Sequence, residues 1–154
     1  AGTGSQGNTN GIGTEASFYG PYGVAIDSNG NIIVSDNDNH LIRKIDSDGN
    51  VTTIAGTGSA GSNNGIGTAA SFNYPNSVAI DSAGNIIVAD TSNHLIRKID
   101  SSGNVTAIAG TGSSGNANGN GTNASFNNPY GVAIDSAGNI IVVDADNNLI
   151  RKIQ

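Results

Sequence analysis

The chain has 154 residues, 23 of them Gly and none of them Cys, Met or Trp, so disulfides, thiol nucleophiles and cysteine-ligated zinc or iron–sulfur sites are excluded. Six basic and twelve acidic side chains give a net charge of −6. The bases occur only as the pairs Arg43-Lys44, Arg97-Lys98 and Arg151-Lys152, so no basic patch is expected to meet nucleic acid. No stretch approaches the roughly 18 apolar residues of a membrane span, and no membrane partner is expected. The first residues lack the charged and apolar regions of a signal peptide, which leaves localisation unassigned, with the extracellular space or cell surface expected for a natural chain.

Ala-Gly-Thr-Gly-Ser begins at Ala1, Ala55 and Ala109, a spacing of 54 residues, and nearly everything downstream keeps that register. The chain therefore reads as a single repeat domain, 1–154, made of units 1–54, 55–108 and 109–154. The last unit has no counterpart of Asn50–Ile54, so it is expected to lack its outer strand, with Leu149–Ile153 as its edge. Repetition also separates scaffold from chemistry, because a catalytic constellation is normally singular whereas a structural device recurs in every unit.

In chain order, each unit opens with a Gly-rich loop and then reaches a Phe three residues before a Pro. Four short runs follow, which in the middle unit are Ser77–Asp81, Asn85–Asp90, Leu95–Asp100 and Asn104–Ile108. They are rich in β-branched residues and separated by turn clusters, so they predict a four-stranded antiparallel meander. The Gly that closes each Asp-Ser-x-Gly turn suits a left-handed hairpin position. Ile86-Ile87-Val88 is apolar on both faces, which a sheet with one wet side does not need. Meanders covered on both faces and repeated in series predict an all-β propeller, in preference to a parallel β-helix, whose coils are shorter and lack these hairpins.

Asn39-His40-Leu41-Ile42-Arg43-Lys44-Ile45 and Asn93-His94-Leu95-Ile96-Arg97-Lys98-Ile99 resemble the NHL repeat, as does Pro-x-x-Val-Ala-Ile-Asp-Ser-x-Gly-Asn-Ile-Ile-Val-x-Asp. The third unit departs mildly, with Asn147-Asn148-Leu149. The resemblance implies blades that commonly number six per ring, with the first strand innermost. Three blades alone would leave two apolar faces open, so a homodimer that completes a six-bladed ring is expected. A trimeric nine-bladed ring and half of a longer parent protein are the alternatives.

Motifs of chemical interest have structural readings beside them. Gly56-x-Gly58-x-x-Gly61, with its copies at Gly2 and Gly110, matches a dinucleotide fingerprint in spelling, but a loop and not a helix follows it, so no cofactor is expected. Phe18, Phe72 and Phe126 read as anchors that pin the long loops over the core. Asp36, Asp90 and Asp144 end the second strand, and Arg43, Arg97 and Arg151 stand seven residues later on the returning strand, so carboxylate–guanidinium contacts within each hairpin are expected. His40 and His94 invite a metal or general-base role, but the third equivalent is Asn148 and no Glu or Cys recurs nearby. Asp36-Asn37-Asp38-Asn39 resembles the start of a calcium loop without the central Gly and distant Glu of an EF-hand, so only weak adventitious calcium binding would follow. No Gly-x-Ser-x-Gly elbow occurs. No catalytic, cofactor-binding or metal-binding residue is assigned.

The leading expectation is a non-enzymatic, self-assembling propeller scaffold, of engineered consensus-like or recently amplified natural origin. One alternative is an extracellular or cell-surface module that binds an unassigned protein or glycan through its long inter-blade loops. The other is a metal-dependent hydrolase- or lyase-like propeller, which would need inward-facing ligands. The inner strands read Val24-Ala25-Ile26, Val78-Ala79-Ile80 and Val132-Ala133-Ile134, without them.

Overall fold

A computed structural model of the chain describes residues 1–154. The strands are β1 (Gly11–Ile12), β2 (Pro21–Ile26), β3 (Ile32–Asp36), β4 (Leu41–Ile45), β5 (Asn50–Ala55), β6 (Gly65–Ile66), β7 (Pro75–Ile80), β8 (Ile86–Asp90), β9 (Leu95–Ile99), β10 (Asn104–Ala109), β11 (Pro129–Ile134), β12 (Ile140–Asp144) and β13 (Leu149–Ile153). They form three antiparallel sheets, ordered β1-β5-β4-β3-β2, β6-β10-β9-β8-β7 and β11-β12-β13. The first two blades thus have five strands where a meander of four was expected. The additions, β1 and β6, are two-residue pieces of the Gly-rich loops that pair with the outer strands: Gly11 opposite Val51, and Gly65 opposite Val105. The third blade has three strands, and β13 is its edge.

Turn chemistry sets the register. In the first hairpin of blade 1, Asp27 Oδ1 accepts the N–H groups of Asn29 and Asn31, both at 2.9 Å, while Oδ2 accepts Asn31 Nδ2 at 2.8 Å. Gly30 closes the turn at φ +82°, a conformation that costs a residue with a side chain more. The same device recurs at Asp46, Asp81, Asp100 and Asp135. The second hairpin of each blade is a 3-10 turn ending on a left-handed residue, His40, His94 or Asn148, at φ 56°, 55° and 57°.

The blades stack face to face, with β2 against β7 and β7 against β11. Between blades 1 and 2 lie Ile33, Ile42, Ala55, Ala70, Phe72, Val78, Val88, Ile99 and Val105. Between blades 2 and 3 lie Ile87, Ala89, Ile96, Ala109, Ala124, Phe126 and Val142. Ile87 and Val88, adjacent on β8, therefore enter different cores, which accounts for the unbroken apolar run. Gly23 lets β2 close on β7, since a Cβ there would sit 2.7 Å from the Asn76 carbonyl oxygen. Both ends of the arc are open, leaving Val24 and Ile26 of blade 1 and Ile150 of blade 3 about 70% exposed (68%, 70% and 69%).

The turn aspartates give a pH dependence. Asn side-chain amides hold Asp27, Asp46 and Asp135 below the usual 3.8, and the Asn104 N–H does so for Asp100. Burial raises Asp81, but the Asn85 donors outweigh it. Because the folded values are depressed, the stabilisation is complete above about pH 3.8 and is lost as pH falls through the folded values. The thermal midpoint, followed by circular dichroism, should fall steeply with acid below that point, and Asp135→Ser should make the fall shallower.

Candidate functional site

The Gly-rich loops are shaped by a serine. In the middle blade Ser71 Oγ accepts the Asn63 N–H at 2.9 Å, and Gly61 passes so close that a Cβ there would lie 2.6 Å from that oxygen. The turn so formed aims the carbonyls of Asn63 and Ser71 inward at Arg97. Arg97 Nη2 donates to Asn63 O at 3.1 Å and Asn64 Oδ1 at 2.9 Å, and Nη1 donates to Ser71 O at 3.2 Å and Asp90 Oδ2 at 2.8 Å. Asp90 Oδ1 accepts the Asn73 N–H, and its Oδ2 also accepts Asn93 Nδ2, each at 2.8 Å. The guanidinium lies 5.4 Å from the centre of the Phe72 ring, within cation–π range.

The three copies superimpose in these contacts. Asp36 and Arg43 are 2.7 Å apart, and Asp144 and Arg151 are 2.9 Å apart. Phe18 and Phe126 each sit 5.2 Å from their guanidinium. The side chains of Asp36, Arg43, Asp90, Arg97 and Asp144 are fully buried, and that of Arg151 is 11% exposed. Arg43 Nε and Arg97 Nε have no acceptor, one buried donor left over per closed blade. Burial pushes the Asp90 carboxyl up, against the pull of the Asn73, Asn93 and Arg97 donors. These sealed groups cannot reach a substrate; their chemistry is to tie loop to hairpin.

The other motifs are dispersed. The Gly56–Gly61 segment is followed by β6 and a 3-10 turn, so no helix N-terminus faces a phosphate. His40 Nδ1 accepts the Tyr74 N–H of the next blade and His94 Nδ1 accepts that of Asn128, both at 3.1 Å. The His40 ring also packs edge-on against Tyr74, with centroids 4.7 Å apart, and burial lowers its pKa while Asp38 opposes the shift. The histidines are therefore inter-blade acceptors one blade apart. No three His, Cys, Asp or Glu side chains converge as a metal set.

A feature that sequence reasoning missed lies at the mouth of the arc, where the inner strands begin. Tyr22 and Tyr130 meet edge to face at 6.3 Å, and with Tyr74 and Asn76 they border a shallow cavity of about 260 Å³. Beneath it a relay of hydrogen bonds crosses all three blades. Asn37 Nδ2 donates to Asn76 Oδ1 at 2.7 Å, Asn76 Nδ2 to Thr91 Oγ1 at 2.9 Å, and Thr91 Oγ1 to Pro129 O at 2.7 Å. The available signal was the residue after each Pro: Tyr22, Asn76 and Tyr130.

Removing one partner of a buried pair strands the other charge. Asp90→Asn should cost about 3–5 kcal/mol in urea unfolding. The same change at Asp144 should cost less, because Arg151 touches solvent. Adding Arg97→Met to Asp90→Asn should recover part of the loss.

The NHL repeat model matches residues 18–45, 72–99 and 126–153, one match per blade and more than half of the chain. NHL repeat-containing protein 2 of Bos taurus is 48% identical over 60 residues, which is 38% of this chain and 8% of that protein. A protein of unknown function from Bacteroides thetaiotaomicron VPI-5482 has a TM-score of 0.82 at 26% identity, over 97% of this chain and 38% of that one. An auxiliary nutrient binding protein from Bacteroides ovatus ATCC 8483 has a TM-score of 0.81 at 24% identity, over 93% and 39%, a likeness of fold. The chain thus spans well under half the length of these proteins. With the motif repeated once in each of three stacked blades, the chain belongs to the NHL repeat family.

Proposed function

We propose that the chain is a non-enzymatic propeller segment whose two open faces close against each other in a second copy, giving six blades around one axis. The observation that carries this reading is that the open faces present the same elements that meet at the two filled junctions. From blade 1 to blade 2, Ser35 Oγ donates to Asn76 O at 2.8 Å, Asn37 Nδ2 donates to Pro75 O at 3.1 Å, and His40 accepts from Tyr74. From blade 2 to blade 3, Thr91 donates to Pro129 O and His94 accepts from Asn128.

The corresponding positions on the outer face of blade 3 are Val143, Ala145 and Asn148. Opposite them a second copy would bring Gly20, Pro21 and Tyr22, with Val24 and Ile26 beyond. This third kind of junction is more apolar than the other two, matching Val143, 42% exposed, and Ile150 with Val24 and Ile26. Asn148 keeps the left-handed backbone of the histidines and offers an amide oxygen where they offer Nδ1. Contacts of this head-to-tail kind close when two copies share a two-fold axis along the channel.

A second reading, a binding module, is favoured by the exposed Tyr22–Tyr130 pair at the mouth rather than by the long loops. Aromatic faces beside the Asn76 amide suit a polar ligand with apolar faces, such as a sugar. Tyrosine fluorescence should respond to an oligosaccharide if this is correct, and Tyr22→Ala with Tyr130→Ala should abolish the response.

Light scattering coupled to size exclusion tests the leading reading. The expected mass is twice the 15.3 kDa of one chain. Ile26→Asp or Ile150→Asp should shift the protein to monomer. A well-behaved monomer of the unaltered chain at tens of micromolar would rule the reading out.

A further inference from the structure

We propose that the mouth of the arc is an aromatic cage for a methylated ammonium group, such as the trimethylammonium head of choline. This inference rests on the binding reading above and names its ligand class, with a neutral sugar as the competing occupant. Tyr22 and Tyr130 take the same place on β2 and β11, one residue after the Pro that opens each strand. Asn76, at that place on β7, is buried and carries no ring, so the gap between the two tyrosines stays open. Their planes stand at 84° with centroids 6.3 Å apart, which makes a two-walled corner and not a flat platform. Stacking of a sugar calls for a flat face, whereas a compact cation is held by ring faces that meet at an angle.

A third wall comes from Tyr74, which borders the same cavity. Its backbone is left-handed, at φ 51°, where blades 1 and 3 carry Gly20 and Asn128 at φ 55° and 50°. A bulky residue in this conformation is an outlier, and such outliers persist only where the surroundings over-determine them. His40 supplies that constraint, since its Nδ1 accepts the Tyr74 N–H at 3.1 Å and its ring packs edge-on against the phenol. The Tyr74 ring is thereby fixed yet exposed, as are those of Tyr22 and Tyr130. Three partly open aromatic rings thus converge on one cavity, which packing of the fold does not require.

The charge around the cavity has one sign. Asp146, exposed and the one acidic side chain on its border, is held there by Asn128 Nδ2, which donates to its Oδ2. No base faces it. Arg43, Arg97 and Arg151 are engaged within their own blades by Asp36, Asp90 and Asp144. Lys44, Lys98 and Lys152 stand opposite Ile33, Ile87 and Ile141, toward the far ends of the second strands. A lone carboxylate offers too few oxygens for a calcium or magnesium ion, which takes about six ligands or more. An organic cation instead uses one carboxylate together with the negative faces of the rings. The cavity of about 260 Å³ lies below the roughly 300–1,000 Å³ of sites for drug-sized ligands, so it fits a head group better than a chain of sugars.

The test titrates choline into the isotope-labelled full chain, where amide shifts at Tyr22, Tyr74, Tyr130 and Asp146 should saturate. Dimethylbutanol, the uncharged isostere with carbon in place of the nitrogen, should bind at least about tenfold more weakly. Asp146→Asn should weaken choline binding about threefold and flatten its dependence on salt. Tyr22→Leu with Tyr130→Leu should abolish binding, Tyr22→Phe with Tyr130→Phe should retain it, and thermal midpoints report whether each variant is folded. Phosphatidylcholine vesicles separate the sources of such a head: no cosedimentation assigns a free compound, cosedimentation competed by choline assigns a lipid, and both support the cage. Equal affinity for choline and dimethylbutanol, or choline binding that survives the double Leu change, overturns the proposal. Saturable shifts with maltotetraose and none with choline overturn it and leave the binding reading standing, whereas silence from both overturns both.

Discussion

The buried Asp–Arg pair is the contact on which each blade depends, because one guanidinium ties two points of the long inter-blade loop to the end of the second strand. The inter-blade loops are about twenty residues of mostly Gly, Asn, Ser and Thr, a composition with high conformational entropy and little apolar surface to offset it. Arg97 gathers two loop carbonyls and a loop amide on one guanidinium while bonding Asp90 at the end of β8. Once the loop is fixed, Phe72 is delivered over the core and the chain enters β7 at Pro75 in the correct direction. A fully buried ion pair is weak support for net stability, since desolvation offsets attraction. Its contribution here is selection of one loop path among many.

Where the Asp–Arg unit is invariant, the junctions between blades are not. Ser35, Asn37 and His40 make the first junction polar, whereas Ala89 and Thr91 leave the second more apolar, and Val143 and Ala145 carry the trend to the open face. The three units therefore keep one internal design and differ where they meet a neighbour. Such a pattern fits a repeat array in which interface terms, more than unit stability, distinguish positions.

Much of the fold could be read from residue order. The long strands, four in each of the first two units and three in the third, are legible because β-branched runs alternate with Asp-x-x-Gly turns, and the double-sided burial of β8 follows from Ile86-Ile87-Val88. The partnership of Asp90 with Arg97 is legible because a hairpin sets their distance. By contrast, β1 and β6 are Gly-Ile pairs inside loops, with no alternation to mark them, and they exist only because an outer strand offers an edge. The histidines could not be understood locally either, since the N–H that each receives belongs to the following blade, 34 residues away. The tyrosine mouth was equally hidden: Tyr22 and Tyr130 are separated by two full units and meet only because the arc curves.

The relay from Asn37 through Asn76 and Thr91 to Pro129 has one further property: every link donates in the same sense around the arc. The rim therefore carries a circulation, like an arrow drawn along its inner edge. Two arcs set head to tail keep their arrows following one another, whereas two set mouth to mouth or back to back oppose them. Ala145 cannot pass the arrow on, so any blade seated there receives it as a gap in an otherwise directed loop.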